Sequence, residues 1–351
     1  MAVMPTGGGT KMGWGTPVDA GVVLETRRMA GVREHSWQDM TATVGAGTTW
    51  SAMQEALARH GQMVALDPLW PERATVGGIV ATNDSGALRL KYGSLRDLII
   101  GMTVVLADGT VAKSGGKVVK NVAGYDLHKL MTGAFGTLGV VTEVTFRLHP
   151  VEKRVETWTL RAAEAEALGA VMLRVLDSTA SPAAMQMRSG ADGFALDVRF
   201  AGLPESVARL REMAGTLECV RAEEDVWGAR ERLFADADVF VLKVTMLPSK
   251  TAAVLAGFTA AGVKAECVAD AVGICTVALR GDATEVVELV EDLRPRLAAS
   301  GGAVVVLQEP QGAAEIDRWG GEPPAIALMR EVKRQFDPAR MLNPGRFVGG
   351  I

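Results

Sequence analysis

The spacing of hydrophobic positions changes character along the chain. In the first 150 residues, short apolar runs bounded by glycine predict strands at Val22–Thr26, Met40–Val44, Leu98–Leu106 and Val140–Leu148. Apolar residues at helical spacing predict helices over Trp50–His60 and Tyr125–Met131. Thr48 or Thr49 can cap the first of these, and Asp108-Gly109 between two strand-like runs reads as a hairpin.

From Lys153 the glycine corners thin out, and strand and helix patterns alternate. One set reads strand 154–160, helix 163–176, strands 183–188 and 194–200, helix 204–216 and strand 217–222. A second reads strand 239–245, helix 249–260, strands 264–269 and 273–280, helix 283–297 with Pro295 inside it, and strand 303–308. Each is a β-α-β-β-α-β unit, which predicts an antiparallel sheet carrying helices on one face. A Gly/Pro-rich link, 309–324, leads into a helix opened by Pro323-Pro324, with Leu328, Val332 and Phe336 on one stripe. That helix delivers Asn343-Pro344-Gly345 in a turn, which implies a tail that returns to an earlier domain. The expected organisation is α+β: a glycine-rich domain at 1–150, an antiparallel α+β domain at 151–308, and a linker, helix and tail at 309–351.

Two glycine-rich segments bring in chemistry. The first is Met4-Pro-Thr-Gly-Gly-Gly-Thr-Lys-Met-Gly13. The second is Thr75-Val-Gly-Gly-Ile-Val-Ala-Thr-Asn-Asp-Ser-Gly86, followed by Leu90-Lys-Tyr-Gly-Ser-Leu-Arg-Asp97. Chains without Cβ atoms let backbone N–H groups approach a flat, partly anionic ligand closely. On residues alone this means a flavin- or phosphate-ligand protein.

Composition narrows the class. A 48% apolar chain of 351 residues can build two or more cores, and a net charge of −4 argues against electrostatic nucleic-acid binding. Cys219, Cys267 and Cys275 are odd in number and lack metal-ligand spacing, so buried thiols in a reduced, cytoplasmic compartment are expected, with no metal site and no iron–sulfur cluster in this chain. No basic-then-apolar leader opens the sequence, and no apolar run approaches membrane-spanning length.

The segments Thr6-Gly-Gly-Gly-Thr-Lys11, Thr75-Val-Gly-Gly78, Ala81-Thr-Asn-Asp-Ser-Gly86, Tyr92-Gly-Ser-Leu-Arg-Asp97 and Gly136-Thr-Leu-Gly-Val-Val-Thr-Glu143 resemble the FAD-binding domain of the vanillyl-alcohol oxidase, PCMH-type, flavoproteins. Phe336-Asp-Pro to Leu-Asn-Pro-Gly345 resembles their C-terminal FAD-oxidase motif. Within the family, Lys117-Val-Val-Lys-Asn-Val-Ala-Gly-Tyr-Asp-Leu-His-Lys-Leu130 and Pro323-Pro-Ala-Ile-Ala-Leu-Met-Arg330 are most similar to the FAD-binding subunits of bacterial glycolate oxidases. The resemblance implies a PCMH-type FAD-binding domain followed by an antiparallel-sheet cap domain of two split-βαβ units, with the tail returning to the flavin domain. It implies that Thr6, Gly7, Gly8, Gly9, Thr10 and Lys11 form the pyrophosphate loop. Thr75, Gly77, Gly78, Thr82, Ser85 and Gly86 would line the phosphate and ring-proximal side. Gly139, Val140 and Thr142 would contact adenine and ribitol, and Asn343 would reach the flavin ring edge. Neither loop carries the His or Cys that attaches FAD in some relatives, so non-covalent binding is implied. Family members carry a strand and helix ahead of the first loop, which here begins at residue 5, so a shortened start is expected.

The resemblance also implies partners: a paralogous catalytic flavoprotein subunit and an iron–sulfur subunit of glycolate oxidase, peripheral at the inner membrane through the complex. The reaction implied is oxidation of glycolate, a small 2-hydroxy acid, to glyoxylate, with electrons passed to an acceptor other than oxygen. Catalytic relatives carry a His-x-Gly-Asp-Gly-Asn-x-His segment before the tail; the corresponding region here, 300–320, has no histidine. The four histidines, His35, His60, His128 and His149, do not cluster in sequence, and His128 reads as a surface or capping residue. Hydroxyl oxidation needs a base, and the available candidates are Lys120, Asn121 and Arg346. Arg188 and Arg199, on strands, suit a substrate carboxylate or an exposed sheet edge. Two alternatives stand beside the redox subunit: a structural partner with a vestigial FAD site, and a stand-alone FAD-dependent D-2-hydroxy-acid dehydrogenase.

Overall fold

Glycine-bounded apolar runs and amphipathic helices resolve into two compact units. The computed structural model describes residues 1–116, 125–190, 193–202, 204–222, 225–313 and 316–351. Residues 1–86, 92–151 and 321–351 form one compact unit, and residues 87–91 and 152–320 form the other. Among the described residues no helix is long and apolar enough to cross a membrane.

The first unit begins with β1 (Val3–Thr6), which pairs in parallel with β2 (Val22–Glu25). Next come β3 (Val32–Ser36), β4 (Thr41–Gly45), α1 (Trp50–Ala58), β5 (Gln62–Met63) and α2 (Val76–Thr82). After α3 (Arg89–Tyr92), all but the last residue of which belongs to the second unit, the single turn α4 (Leu95–Leu98) precedes β6 (Ile99–Val105) and β7 (Val111–Gly115). Then follow α5 (Leu127–Met131), β8 (Val140–Arg147) and β9 (His149–Pro150). Strands β3-β4-β8-β6-β7, in that order, make an antiparallel sheet. The core gathers Trp50, Met53 and Leu57 of α1, Val76, Ile79 and Val80 of α2, and Val144 and Phe146 of β8. Thr49, not Thr48, caps α1 by accepting from the Ala52 N–H; Thr48 donates to the Gly45 carbonyl and accepts from the Gly31 N–H.

The second unit carries the paired split-βαβ pattern. Its first set is β10 (Val155–Ala162), α6 (Ala165–Leu176), β11 (Ala184–Gly190), β12 (Gly193–Ala201), α7 (Pro204–Ala214) and β13 (Cys219–Arg221). After the short α8 (Ala229–Arg232) the second set follows: β14 (Phe240–Thr245), α9 (Thr251–Ala260), β15 (Lys264–Asp270), β16 (Ile274–Arg280), α10 (Ala283–Ala298) and β17 (Ala303–Gln308). All eight strands join one antiparallel sheet ordered β13-β10-β12-β11-β15-β16-β14-β17, so the second strand of each set meets its counterpart at the centre. A Cβ at Gly169 of α6 would lie 2.6 Å from Ala252 Cβ of α9, so the missing side chain is what lets helices of the two sets touch.

One row of this sheet is polar and buried. Thr159, Asp197, Gln186 and Asp270 stand in register across β10, β12, β11 and β15. Asp197, fully buried, accepts from Arg188 (Nε 2.6 Å, Nη2 3.0 Å), Gln186 (3.0 Å) and Thr159 (2.8 Å), which offsets the cost of burying a carboxylate. Asp270 is less well matched. Burial pushes its pKa from 3.8 up to about 6, against the Ile274 and Val272 N–H groups and the charges of Arg230 and Arg89.

The helix of the tail, α11 (Ile326–Phe336), departs from its sequence pattern. Val332 and Phe336 pack on the first unit's core, but Leu328 is 66% exposed and Lys333 is buried. His128 likewise lies buried rather than at the surface, with its Nδ1 3.3 Å from Ser114 Oγ and its pKa lowered by burial.

Because the folded chain holds the Asp270 proton to a higher pH than the unfolded chain does, ionising it costs stability as pH rises from 3.8 to about 6. Asp270→Asn is therefore expected to stabilise the protein at pH 7.5, by about 1–3 kcal/mol, since each tenfold difference in proton affinity between the folded and unfolded chain is worth about 1.4 kcal/mol. Urea midpoints at pH 7.5 and pH 4 should show that advantage vanishing at the lower value. An equal loss of stability at both would contradict it.

Candidate cofactor site

Backbone packing with no room for side chains shapes the site. From β1 the chain runs into Gly7-Gly8-Gly9. A Cβ on Gly7 would fall 2.1 Å from Thr75 Oγ1, and one on Gly8 would fall 1.9 Å from the Arg73 carbonyl oxygen. The loop is thus pressed onto residues 73–75, while Gly9, at φ +69°, turns it back. Thr75 caps α2, and Gly77 of that helix lies against Ala46, where a Cβ would meet the alanine's at 3.0 Å.

Two buried charge pairs brace this frame. Lys11 forms an ion pair with Asp84 (3.3 Å), whose Oδ2 also accepts from the Leu69 N–H (2.8 Å), and its ammonium sits 5.1 Å from the Trp70 ring. In the tail, the Lys333 ammonium donates to Asp337 (2.6 Å) and to the carbonyls of Thr137 (2.7 Å) and Leu342 (2.9 Å). Burial opposes the Asp337 charge. The lysine and the N–H groups of Met341 and Leu342 outweigh it and hold the carboxyl below its ordinary pKa. Burial in turn pulls the Lys333 pKa down, against the pull of Asp337.

The tail anneals to the first strand. Val3 N–H donates to the Met341 carbonyl (2.7 Å) and Asn343 N–H to the Val3 carbonyl (3.0 Å). Asn343, at φ 41°, donates its Nδ2 to the Phe135 carbonyl (2.7 Å). Its Oδ1 is buried with no partner. Arg346 Nη2 donates to the carbonyls of Lys11, Met12 and Trp14.

These segments enclose one cleft. Of the residues expected at a cofactor, Thr6, Gly7, Gly8, Gly9, Thr10, Lys11, Thr75, Gly77, Gly78, Thr82, Gly139, Val140 and Asn343 line it. Ser85, Gly86 and Thr142 do not. Gly86 packs against Asp67, where a Cβ would fall 2.6 Å from the carboxylate, and Thr142 donates to the Thr103 carbonyl between strands. Arg346 lines the cleft, whereas Lys120 and Asn121 fall outside the described residues. Arg188 is taken up by Asp197, and Arg199 lies 4.5 Å from the Trp227 ring. The apolar lining residues Met131, Ala134, Phe135, Leu138 and Val141 give no sign of themselves in the sequence, because isolated apolar residues carry no signal of what they face.

The lining therefore combines glycine backbone and threonine hydroxyls with apolar side chains. The described lining contains no carboxylate and no histidine. Such a cleft suits a ligand with a phosphate-bearing part and a flat apolar part. Residues 1–115 match the FAD binding domain family, and residues 318–347 match the C-terminal domain of FAD linked oxidases.

Residues 1–115 are an FAD-binding domain.

Relatives extend the picture. The chain is 40% identical to glycolate oxidase subunit GlcD of Bacillus subtilis over 156 residues, which is 44% of this chain and 33% of GlcD. It is 42% identical to a D-lactate dehydrogenase of Archaeoglobus fulgidus over 149 residues, 42% of this chain and 33% of that protein. It is 37% identical to glycolate oxidase subunit GlcE of Escherichia coli over 145 residues, 41% of each. The match thus spans about a third of the length of the first two. In fold, it aligns with alkyldihydroxyacetonephosphate synthase at a TM-score of 0.68 and 19% identity, covering 98% of this chain and 71% of that one.

In the FAD-binding domain, the glycine cradle gives a direct test. Gly8→Ala drives a Cβ into a backbone carbonyl. Overpacking of about 1–3 kcal/mol corresponds to about five- to 150-fold weaker FAD binding. Gly257→Ala, whose Cβ would meet nothing within 4 Å, should leave FAD affinity unchanged. Titration of FAD fluorescence quenching compares the two.

Proposed function

We propose that this chain is the FAD-binding subunit of a heteromeric glycolate oxidase, and that its cofactor relays electrons while a partner subunit carries out the substrate chemistry. The observation that carries the reading is a cleft built to hold FAD yet lined, among its described residues, by no carboxylate or histidine. Removing hydride equivalents from a 2-hydroxy acid requires a base for the hydroxyl proton. The ionisable side chains in the described lining are Lys11 and Arg346. Lys11 is committed to Asp84, and Arg346 holds three backbone carbonyls. Both shape the glycine loop instead of presenting themselves to a substrate.

When bound, FAD supplies a two-electron acceptor able to pass electrons on singly. The chain's own residues would bind and orient it: the Gly7–Gly9 amides would hold the pyrophosphate, and Asn343 would offer an acceptor. The described lining holds no cysteine or histidine for covalent attachment, so FAD exchanges freely in this reading. Similarity to proteins named as glycolate oxidase subunits supports a multi-subunit assembly, and the D-lactate dehydrogenase relative supports a short 2-hydroxy acid. The partners proposed are a paralogous catalytic flavoprotein and an iron–sulfur subunit, with a non-oxygen acceptor downstream and the membrane reached only through the complex.

The test is the visible spectrum of the FAD-loaded isolated chain under anaerobic conditions. Glycolate alone should leave the flavin bands intact, and adding the partner subunits should bleach them. Bleaching of the isolated chain by glycolate would contradict the relay reading.

A further inference from the structure

A lysine buried on the inner face of α11 is costly unless all three of its donors are met. Lys333 meets that demand with Thr137, Asp337 and Leu342 as acceptors. Asp337, fully buried one helical turn later, takes the Met341 and Leu342 N–H groups at 2.9 and 2.8 Å. The pair therefore fixes the two residues immediately before Asn343. That leaves Asn343 little freedom: its N–H is on Val3, its backbone is left-handed, and its Nδ2 is on the Phe135 carbonyl. Donation to a carbonyl identifies the nitrogen of the amide, so the other atom, Oδ1, is an acceptor. It is buried, partnerless, and belongs to a residue that lines the cleft.

A native structure rarely strands a buried acceptor without use for it. Gly136 accommodates this arrangement, since a Cβ there would lie 3.0 Å from Asn343 Nδ2. We propose that Lys333 and Asp337 are positioning residues for the cofactor, whose buried pair sets Asn343 so that Oδ1 accepts a hydrogen bond from an N–H or O–H of bound FAD. The inference rests on the FAD-binding reading above, and it assigns a ligand-directed role to two residues that do not themselves line the cleft.

A double-mutant cycle on FAD affinity tests it, with Lys333→Met, Asn343→Ala and the double variant measured by fluorescence quenching beside the thermal midpoint of the FAD-free chain. Loss of one hydrogen bond predicts about three- to tenfold weaker FAD binding for each single variant. If Lys333 acts through Asn343, the double variant binds no more than about twofold more weakly than either single, a coupling that independent sites do not give. A purely structural lysine would lower the thermal midpoint while its effect on affinity multiplied with that of Asn343→Ala, and that result would overturn the inference. Unchanged FAD affinity in Lys333→Met would overturn it too. Should Lys333→Met not fold, Lys333→Gln retains two N–H donors and enters the same cycle. A wild-type chain that binds no FAD would remove the functional reading itself, whereas tight FAD binding with multiplicative effects removes this inference alone.

Discussion

Charges taken out of water must be matched inside the protein, and this constraint governs both units. Lys333 with Asp337, Lys11 with Asp84, and Arg188 with Asp197 are each buried or largely so, and each is completed by further hydrogen bonds. Such pairs add little net stability over well-packed apolar residues, because desolvation offsets most of the attraction. What they contribute here is geometry. Lys11 with Asp84 fixes the strand-to-loop corner after the glycines, and Lys333 with Asp337 fixes the tail on β1. Neither pair is left over for proton transfer, and the described lining of the cleft holds no carboxylate or histidine.

Elements that obey one period were legible in the sequence. The paired β-α-β-β-α-β sets emerge within a few residues of their expected limits because their strands and helices bury a regular face against one core. β1 and β3 were missed for identifiable reasons: β1 is four residues long and contains Pro5, and β3 is a polar strand, Val-Arg-Glu-His-Ser, at a sheet edge. The α11 stripe misled because hydrophobicity alone cannot value a lysine whose ammonium is fully bonded. Leu328 fell outside the buried face and Lys333 within it. The i,i+4 spacing of Lys333 and Asp337 was the available signal.

At the site, the glycine motifs marked the cradle because only glycine fits where a Cβ would strike Thr75 Oγ1 or the Arg73 carbonyl. Ser85, Gly86 and Thr142 shared the same motifs yet face other protein groups, since a motif fixes local backbone shape and not which atoms turn toward the cleft. Arg346 lines the cleft, and its carbonyl partners make it a brace of the loop. The apolar lining and the clasp behind Asn343 arise from long-range packing, to which sequence spacing is blind.

In the proposed function this fold holds FAD by shape and hydrogen bonding, with no covalent link. The test is the flavin-to-protein ratio of the purified chain after incubation with excess FAD and gel filtration, followed by acid precipitation. One FAD per chain, released completely into the supernatant, is expected. A chain that stays colourless, or flavin that stays with the precipitated protein, would contradict it.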